Sequence, residues 1–407
     1  MRSCVASATR LLGWLILPMV FPSGGRAAPS LYAYPAPYVL ADGSSLSSIV
    51  TVAPEMATTL MPRIQKLEGV VLLVSWSDLC PTAQTCNFSL IDETLMYWGQ
   101  RGKKVVLGLS MMGPEIKSLS GGYAHFVNET PAWVLDEVQT YTAQLAPFGW
   151  LPNLPVGADG VAYVPTQVPV YSDPQFIAYV ASIVQQLGRR YTGNTVLSRV
   201  RISLGKLGED NVIPRKGNGL PALQTVPGYS LSGYLAYCEQ LTSIYENAFP
   251  DTQLEIDIGV LADSYAVVAT PDEKVAIDSY FRSLALNHVF MAFNGLGAPA
   301  DAAAPSLAAL AKMEIMGGQV GLEEIASVTN PLMQDMAVVG QTLAEVQPAR
   351  LVLFGVDVGG LEYSLQPGSP AETLTSLQWM ASQGMSVGQA AAFDIAILNA
   401  AGITVAQ

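Results

Sequence analysis

The chain has 407 residues, half of them hydrophobic and only 13% charged, which is material for one large domain or two ordinary ones. Twenty Lys and Arg stand against 33 Asp and Glu, a formal net charge of −13. That acidic balance disfavours nucleic acid and anionic membranes as partners and fits a neutral substrate.

Arg2 and Arg10 precede an apolar run from Leu11 to Phe21, and Arg26-Ala27-Ala28 offers a small-residue cleavage site. Residues 1–28 therefore read as a secretory signal peptide, and residues 29–407 as a single domain. The apolar run is short for a membrane span, so no stable membrane insertion is expected after cleavage; an uncleaved anchor is the alternative. Removing this segment takes away three arginines and no acid, which moves the net charge to −16. A secreted, extracellular or periplasmic protein is expected.

In chain order, the first strand is expected near Leu31–Tyr38, where prolines weaken the pattern. Gly69–Trp76 is a continuous apolar run ending in an aromatic, as in a buried parallel strand. Cys80 and Cys86 bracket a Pro-Thr-Ala-Gln-Thr loop and could pair in an oxidising compartment. Cys4 leaves with the signal, and Cys238 reads as a buried free thiol. An amphipathic helix follows over Ser89–Arg101, then a second buried strand over Lys104–Ser110. Asn87-Phe88-Ser89 and Asn128-Glu129-Thr130 are glycosylation acceptor patterns, which matter only in a eukaryotic host.

A long connection from Met111 to Ser198 comes next. It is rich in aromatics (Tyr123, Trp133, Trp150, Tyr163, Tyr171), and Leu151–Pro169 is rich in Pro and Gly. Such loops build clefts. Further strands are expected near Arg199–Leu204, Gln253–Val260, His288–Asn294, Gln319–Glu324 and Leu351–Asp357. Helices are expected over Asp173–Tyr191, Ser230–Phe249, Pro271–Leu286, Pro305–Met316, Pro331–Glu345 and Pro370–Gln383, several opening with Pro just inside the start. Eight strands alternating with helices predict an α/β fold, a (β/α)₈ TIM barrel with a long loop insertion between strands 3 and 4. A doubly wound open sheet is the alternative, and it lacks a Gly-rich phosphate turn after the first strand.

Several chemistries drop out. His125 and His288 are the only histidines, and neither has a partner at metal-ligand spacing. No nucleophile elbow, P-loop or dinucleotide fingerprint is present. Carboxylates at strand ends remain. Val200, Ile202 and Leu204 alternate with Arg201, Ser203 and Gly205, and Glu209 follows the glycines that end this strand. In Gln319-Val320-Gly321-Leu322-Glu323-Glu324, the period-2 rule gives Gln319, Gly321 and Glu323 the inward face, which favours Glu323 over Glu324 for the barrel mouth. A solvated loop acid is the plain alternative for each. Two carboxylates across a barrel mouth match glycosidic bond cleavage, one protonating the leaving group while the other attacks the sugar or activates water. No metal or organic cofactor is needed for this, and none is expected.

Trp76 and Trp133 are candidates to stack on sugar faces, with core or rim packing as the alternative. Asn294, Glu324 and Asp357, at strand ends, are candidate hydroxyl-binding residues. Glu255 and Asp257 share the inward parity of their strand and also read as structural acids paired with Arg201.

Ser75-Trp76-Ser77-Asp78, Ser89-Leu90-Ile91-Asp92 and Gly102-Lys103-Lys104-Val105 together resemble the second and third βα units of clan-A-type (β/α)₈ glycoside hydrolases, the β-galactosidase-like members above all. Thr130-Pro131-Ala132-Trp133 resembles the Pro-x-Trp segment after their third strand. Val168–Pro174 and Leu187–Tyr191 resemble the helix before their fourth. The resemblance spans Gly69 to Glu209, with Glu323 added by position. It implies Glu209 as acid/base, Glu323 as nucleophile and a retaining outcome. Clan-A enzymes usually carry Asn before the acid, where this chain has Gly208, and that asparagine holds the sugar 2-hydroxyl. Gly208-Glu209 and Leu322-Glu323 also faintly resemble the β-amylase family, an inverting barrel enzyme. The resulting expectation is a secreted glycoside hydrolase acting on a polysaccharide or glycoside. The alternatives are a non-catalytic carbohydrate-binding protein on the same scaffold and a barrel lyase or transferase using the same acids.

Overall fold

A computed structural model describes residues 30–34, 67–120, 123–145, 164–205, 226–258, 271–296, 319–324 and 350–354. Residues 1–28, Glu209, Asp357 and the three helices expected after residue 304 lie outside them.

The chain opens with β1 (Ser30–Tyr34) and β2 (Leu67–Ser75), then a short α1 (Trp76–Leu79), α2 (Ser89–Gly99) and β3 (Lys104–Ser110). Next come β4 (Pro114–Ser120), β5 (Tyr123–Asn128), α3 (Ala132–Leu135), β6 (Thr140–Leu145), β7 (Val164–Pro169) and α4 (Pro174–Tyr191). The remaining elements are β8 (Leu197–Arg201), α5 (Leu231–Ala248), β9 (Gln253–Asp257), α6 (Pro271–Leu286), β10 (Phe290–Leu296), β11 (Val320–Glu324) and β12 (Arg350–Phe354).

Eight strands close a parallel barrel in the order β1, β2, β3, β8, β9, β10, β11, β12. Closure rests on β1, which pairs in parallel with both β2 and β12. An open doubly wound sheet is thereby excluded. A strand lies at each of the eight expected places, and β8 and β11 are the fourth and seventh of the barrel. Among the described residues no helix is long and apolar enough to cross a membrane.

Strand parity sorts the side chains. Val70, Leu72, Val74, Val105, Leu107 and Leu109 join the main core with Ile91, Leu95 and Trp98 of α2 and Phe176, Val180, Val184 and Leu187 of α4. Val71 and Val106, with Leu73 against them, form a separate small cluster inside the barrel. Helix starts follow local chemistry. Asp173 caps α4, its Oδ1 accepting from the backbone N–H of Gln175 at 2.7 Å and Phe176 at 3.1 Å, with Pro174 at the first helical position. Ser230 caps α5 by accepting from Gly233 N–H at 3.1 Å. Helices α4 and α5 meet at Gly188, where an added Cβ would stand 2.3 Å from the Ala248 carbonyl oxygen.

Between β3 and β8 the chain forms two antiparallel hairpins, β4 with β5 and β6 with β7. The sequence reads as loop here because Pro165 and Pro169 interrupt β7. In a two-stranded ribbon each strand is an edge, and edges tolerate proline.

Candidate functional site

All eight barrel strands run the same way, so their C-terminal ends share one face, where parallel barrels place their chemistry. The interior beneath that face is two-sided. Strands β2 and β3 contribute Val71, Val106 and Leu73, an apolar flank. Strands β8 and β9 contribute charge. Arg201 Nε donates to Glu255 Oε1 at 2.7 Å, and its Nη1 lies 3.4 Å from Asp257 Oδ2, with all three side chains at most 1% exposed. Register places Arg201 opposite Glu255, so the pairing follows from strand geometry. Gly108 leaves room for the guanidinium stem, since a Cβ there would stand 2.5 Å from Leu73 Cδ2 and 3.3 Å from Arg201 Cδ. Nearer the N-terminal end, Arg199 donates to Gln253 at 2.9 Å and lies over the Phe290 ring, and Gln253 donates to Gln319 at 2.9 Å.

Hydroxyls gather at the strand ends. Ser75 stands in register with Ser110, and its Oγ lies 3.0 Å from Ser77 Oγ. Ser203 Oγ donates to the Gly205 carbonyl, which also accepts from Met111 N–H at 3.1 Å. That bond ties the end of β3 to the segment after β8. Tyr237 of α5 donates to the Leu204 carbonyl at 2.7 Å, and its burial pushes the phenol pKa well above the usual range, so it remains a donor. Tyr171, packed 5.1 Å from the Tyr237 ring, is pushed up to about 12 by burial, with the neighbouring Cys238 adding to the rise.

Trp76 needs correction. A sugar-stacking wall must offer a ring face, and Trp76 is 1% exposed, packed against Trp133 at 6.2 Å and Phe176 at 6.1 Å between ring centroids. It continues the outward parity of Val70, Leu72 and Val74 and belongs to the core. Trp133 is half-buried, donates its indole N–H to the Cys80 carbonyl at 2.9 Å and stands 5.1 Å from Tyr179. Cys80 and Cys86 are joined in a disulfide, and Cys238 is a buried free thiol. Asn294 lies within β10 and Glu324 ends β11. Glu323 occupies the strand position two beyond Gly321, in register with Val352. Glu209 lies four residues past Gly205, outside the described residues, as does Asp357.

One residue at this face escaped the sequence reading. Glu129 follows β5, is 1% exposed, and lies between the ends of β2 and β3. Its only sequence signal is the centre of a glycosylation pattern. Among the described residues no group of three or more His, Cys, Asp or Glu is arranged to hold a metal ion.

Away from the mouth, an open groove of about 640 Å³ runs between α2 and the end of α4, lined by Asp92, Met96, Gly99, Gln100, Arg190 and Asn194 among others. Arg190 pairs with Asp92, and its hydrogen bond holds that carboxyl below the usual carboxylate range.

No protein-family model matches the sequence, and no curated protein matches it. Solved structures are nevertheless similar in fold. The catalytic domain of a β-amylase from Paenibacillus polymyxa is similar over 80% of this chain and 93% of that one, with a TM-score of 0.53 at 9% identity. A xylanase from Paenibacillus barcinonensis is similar over 80% of this chain and 83% of that one, with a TM-score of 0.45 at 13% identity. A β-galactosidase from Marinomonas ef1 gives 80% and 53%, with a TM-score of 0.46 at 13% identity. All three are glycoside hydrolases. The last two likenesses are too distant to argue from, and the first shows the shared fold alone.

Proposed function

We propose that this chain is a secreted glycoside hydrolase that cleaves O-glycosidic bonds of a polysaccharide or glycoside with Glu209 and Glu323. The observation that carries the reading is topological. Glu323 lies in the seventh strand of a closed parallel barrel, and Glu209, outside the described residues, follows the fourth strand in the sequence. Chain length supports the pairing, since Glu209 is four residues past Gly205 and four residues reach at most about 14 Å. Glu323 lies within β11 itself.

In this reading Glu209, protonated, gives its proton to the glycosidic oxygen as that bond breaks. Glu323, ionised, attacks the anomeric carbon and forms a glycosyl ester. Glu209, now a carboxylate, takes a proton from water, which attacks the same carbon and frees Glu323. The outcome is retention. Trp133, Asn294, Glu324 and Asp357 hold the sugar. Residues 1–28 direct export and are removed, which agrees with a disulfide near the mouth. Nucleic acid and stable membrane insertion have no part in it.

Gly208, where the resembled enzymes carry asparagine, favours a second reading, a carbohydrate-binding protein without turnover. Purified mature protein assayed on a broad glycan panel separates the two. Release of new reducing ends supports the hydrolase, and proton NMR of the first product anomer reads the stereochemistry. Tight glycan binding with no cleavage on any substrate leaves the binding reading in its place.

A further inference from the structure

We infer that Tyr237 is a positioning residue for the acid/base step, its hydroxyl holding the backbone that leads out of the fourth barrel strand toward Glu209; this rests on the glycosidase reading above. Barrel pairing carries β8 as far as Arg201, opposite Glu255, and Ile202 N–H donates to the Glu255 carbonyl at 2.7 Å. The residues that follow are held by other elements. The Leu204 carbonyl accepts from Tyr237 O–H of α5 at 2.7 Å. The Gly205 carbonyl accepts from Met111 N–H at the end of β3, at 3.1 Å, and from Ser203 Oγ at 3.2 Å. Two consecutive carbonyls are thus fixed by two different elements, and Glu209 comes four residues after the second of them in the sequence.

Packing alone does not call for this hydroxyl. Tyr237 is buried, and its ring lies 5.1 Å from that of Tyr171, surroundings that a phenylalanine would fill as well. A buried phenol O–H costs free energy unless it is bonded, and so does a buried backbone carbonyl. Here each satisfies the other, at a leucine that is itself fully buried. The donor sits in the second turn of a helix whose start is fixed by the Ser230 cap, so a rigid element sets the place of the Leu204 carbonyl. A general acid must come within hydrogen-bond reach of the glycosidic oxygen, and a displacement of about 1 Å can cost about 100-fold in rate. Fixing residues 202–205 fixes the point from which the chain to Glu209 starts.

The same helix offers a control, because Tyr280 of α6 and Thr242 of α5 place their hydroxyl oxygens 2.8 Å apart, between two helices rather than at a strand end. Tyr237→Phe and Tyr280→Phe each delete one hydroxyl and keep the ring. Both are compared with the parent by thermal melting and by kcat/KM on two substrates of the sugar the parent cleaves, an unactivated disaccharide and the dinitrophenyl glycoside. The disaccharide needs its leaving oxygen protonated, whereas dinitrophenolate leaves without that help. In Tyr237→Phe, kcat/KM is expected to fall about tenfold or more on the disaccharide and to stay close to the parent's on the dinitrophenyl glycoside. Tyr280→Phe is expected to match the parent on both. Parent-like kcat/KM on the disaccharide in Tyr237→Phe overturns the inference, whatever its melting temperature. So do equal losses on the two substrates, the same selective loss in Tyr280→Phe, or failure of Tyr237→Phe to fold, since each makes the hydroxyl a general structural group. A parent that cleaves no glycoside sinks the glycosidase reading and this inference together. A parent that cleaves, with Glu209→Gln losing the disaccharide and Tyr237→Phe keeping it, sinks this inference alone.

Discussion

Arg201 and Glu255 form a 2.7 Å ion pair inside the barrel, on the neighbouring strands β8 and β9. A pair this buried contributes little net stability when intact, yet removing one partner strands the other charge. Arg201→Met is expected to cost about 3–5 kcal/mol. Adding Glu255→Gln to that variant is expected to cost less than the sum of the two single changes. Urea unfolding of the two single variants and the double measures both quantities, and additive losses would contradict the coupling.

The α4–α5 crossing depends on Gly188. A Cβ at that position meets backbone oxygen of Ala248, which cannot turn aside as a flexible side-chain tip would. Gly188→Ala is expected to destabilise by about 1–3 kcal/mol through helix displacement. Denaturant unfolding reads the loss. An unchanged midpoint would mean the helices separate freely.

Asp173 caps α4 and also accepts from Gln139 N–H at 2.9 Å, which ties the helix start to the hairpin region. Burial works to raise its pKa, but the three backbone donors outweigh it and hold the carboxyl below its usual value. With the folded pKa depressed, the stabilisation is complete above the unfolded value of about 3.9 and is lost as pH falls through the folded value. Asp173→Ala is expected to cost about 1–2 kcal/mol at neutral pH. That difference from the parent should shrink below about pH 4, which unfolding curves at pH 7 and pH 3 would reveal.

The Cys80–Cys86 bridge closes a small ring beside the Trp133 indole bond to Cys80. Loop-closure entropy for a ring of this size gives about 2 kcal/mol. Cys86→Ser is expected to lower stability by that amount and to loosen Trp133, seen as a change in tryptophan fluorescence. No spectral change would mean that Trp133 is held without the bridge.

The barrel was legible because buried parallel strands leave near-continuous apolar runs, as in Val70–Val74 and Val105–Leu109. The pairing of Arg201 with Glu255 and Asp257 was legible from parity alone. Parity also carried the answer for Trp76, which shares the outward set of Val70, Leu72 and Val74, but its place at a strand end suggested the cleft. The hairpins were hidden by the prolines of β4 and β7. Glu129 was hidden because a loop acid has no periodicity. Its position comes from hydrogen bonds to Gly113 and Ser77, one of which is more than fifty residues distant in sequence.

The direct test of the paired-acid account is turnover by Glu209→Gln on whichever glycan the parent cleaves, with binding measured alongside. Removing a general acid/base should lower kcat by about 10²–10⁴-fold while the variant still folds and binds that glycan. Glu323→Gln should lose turnover at least as completely. Parent-like turnover in a folded Glu209→Gln variant would contradict the account.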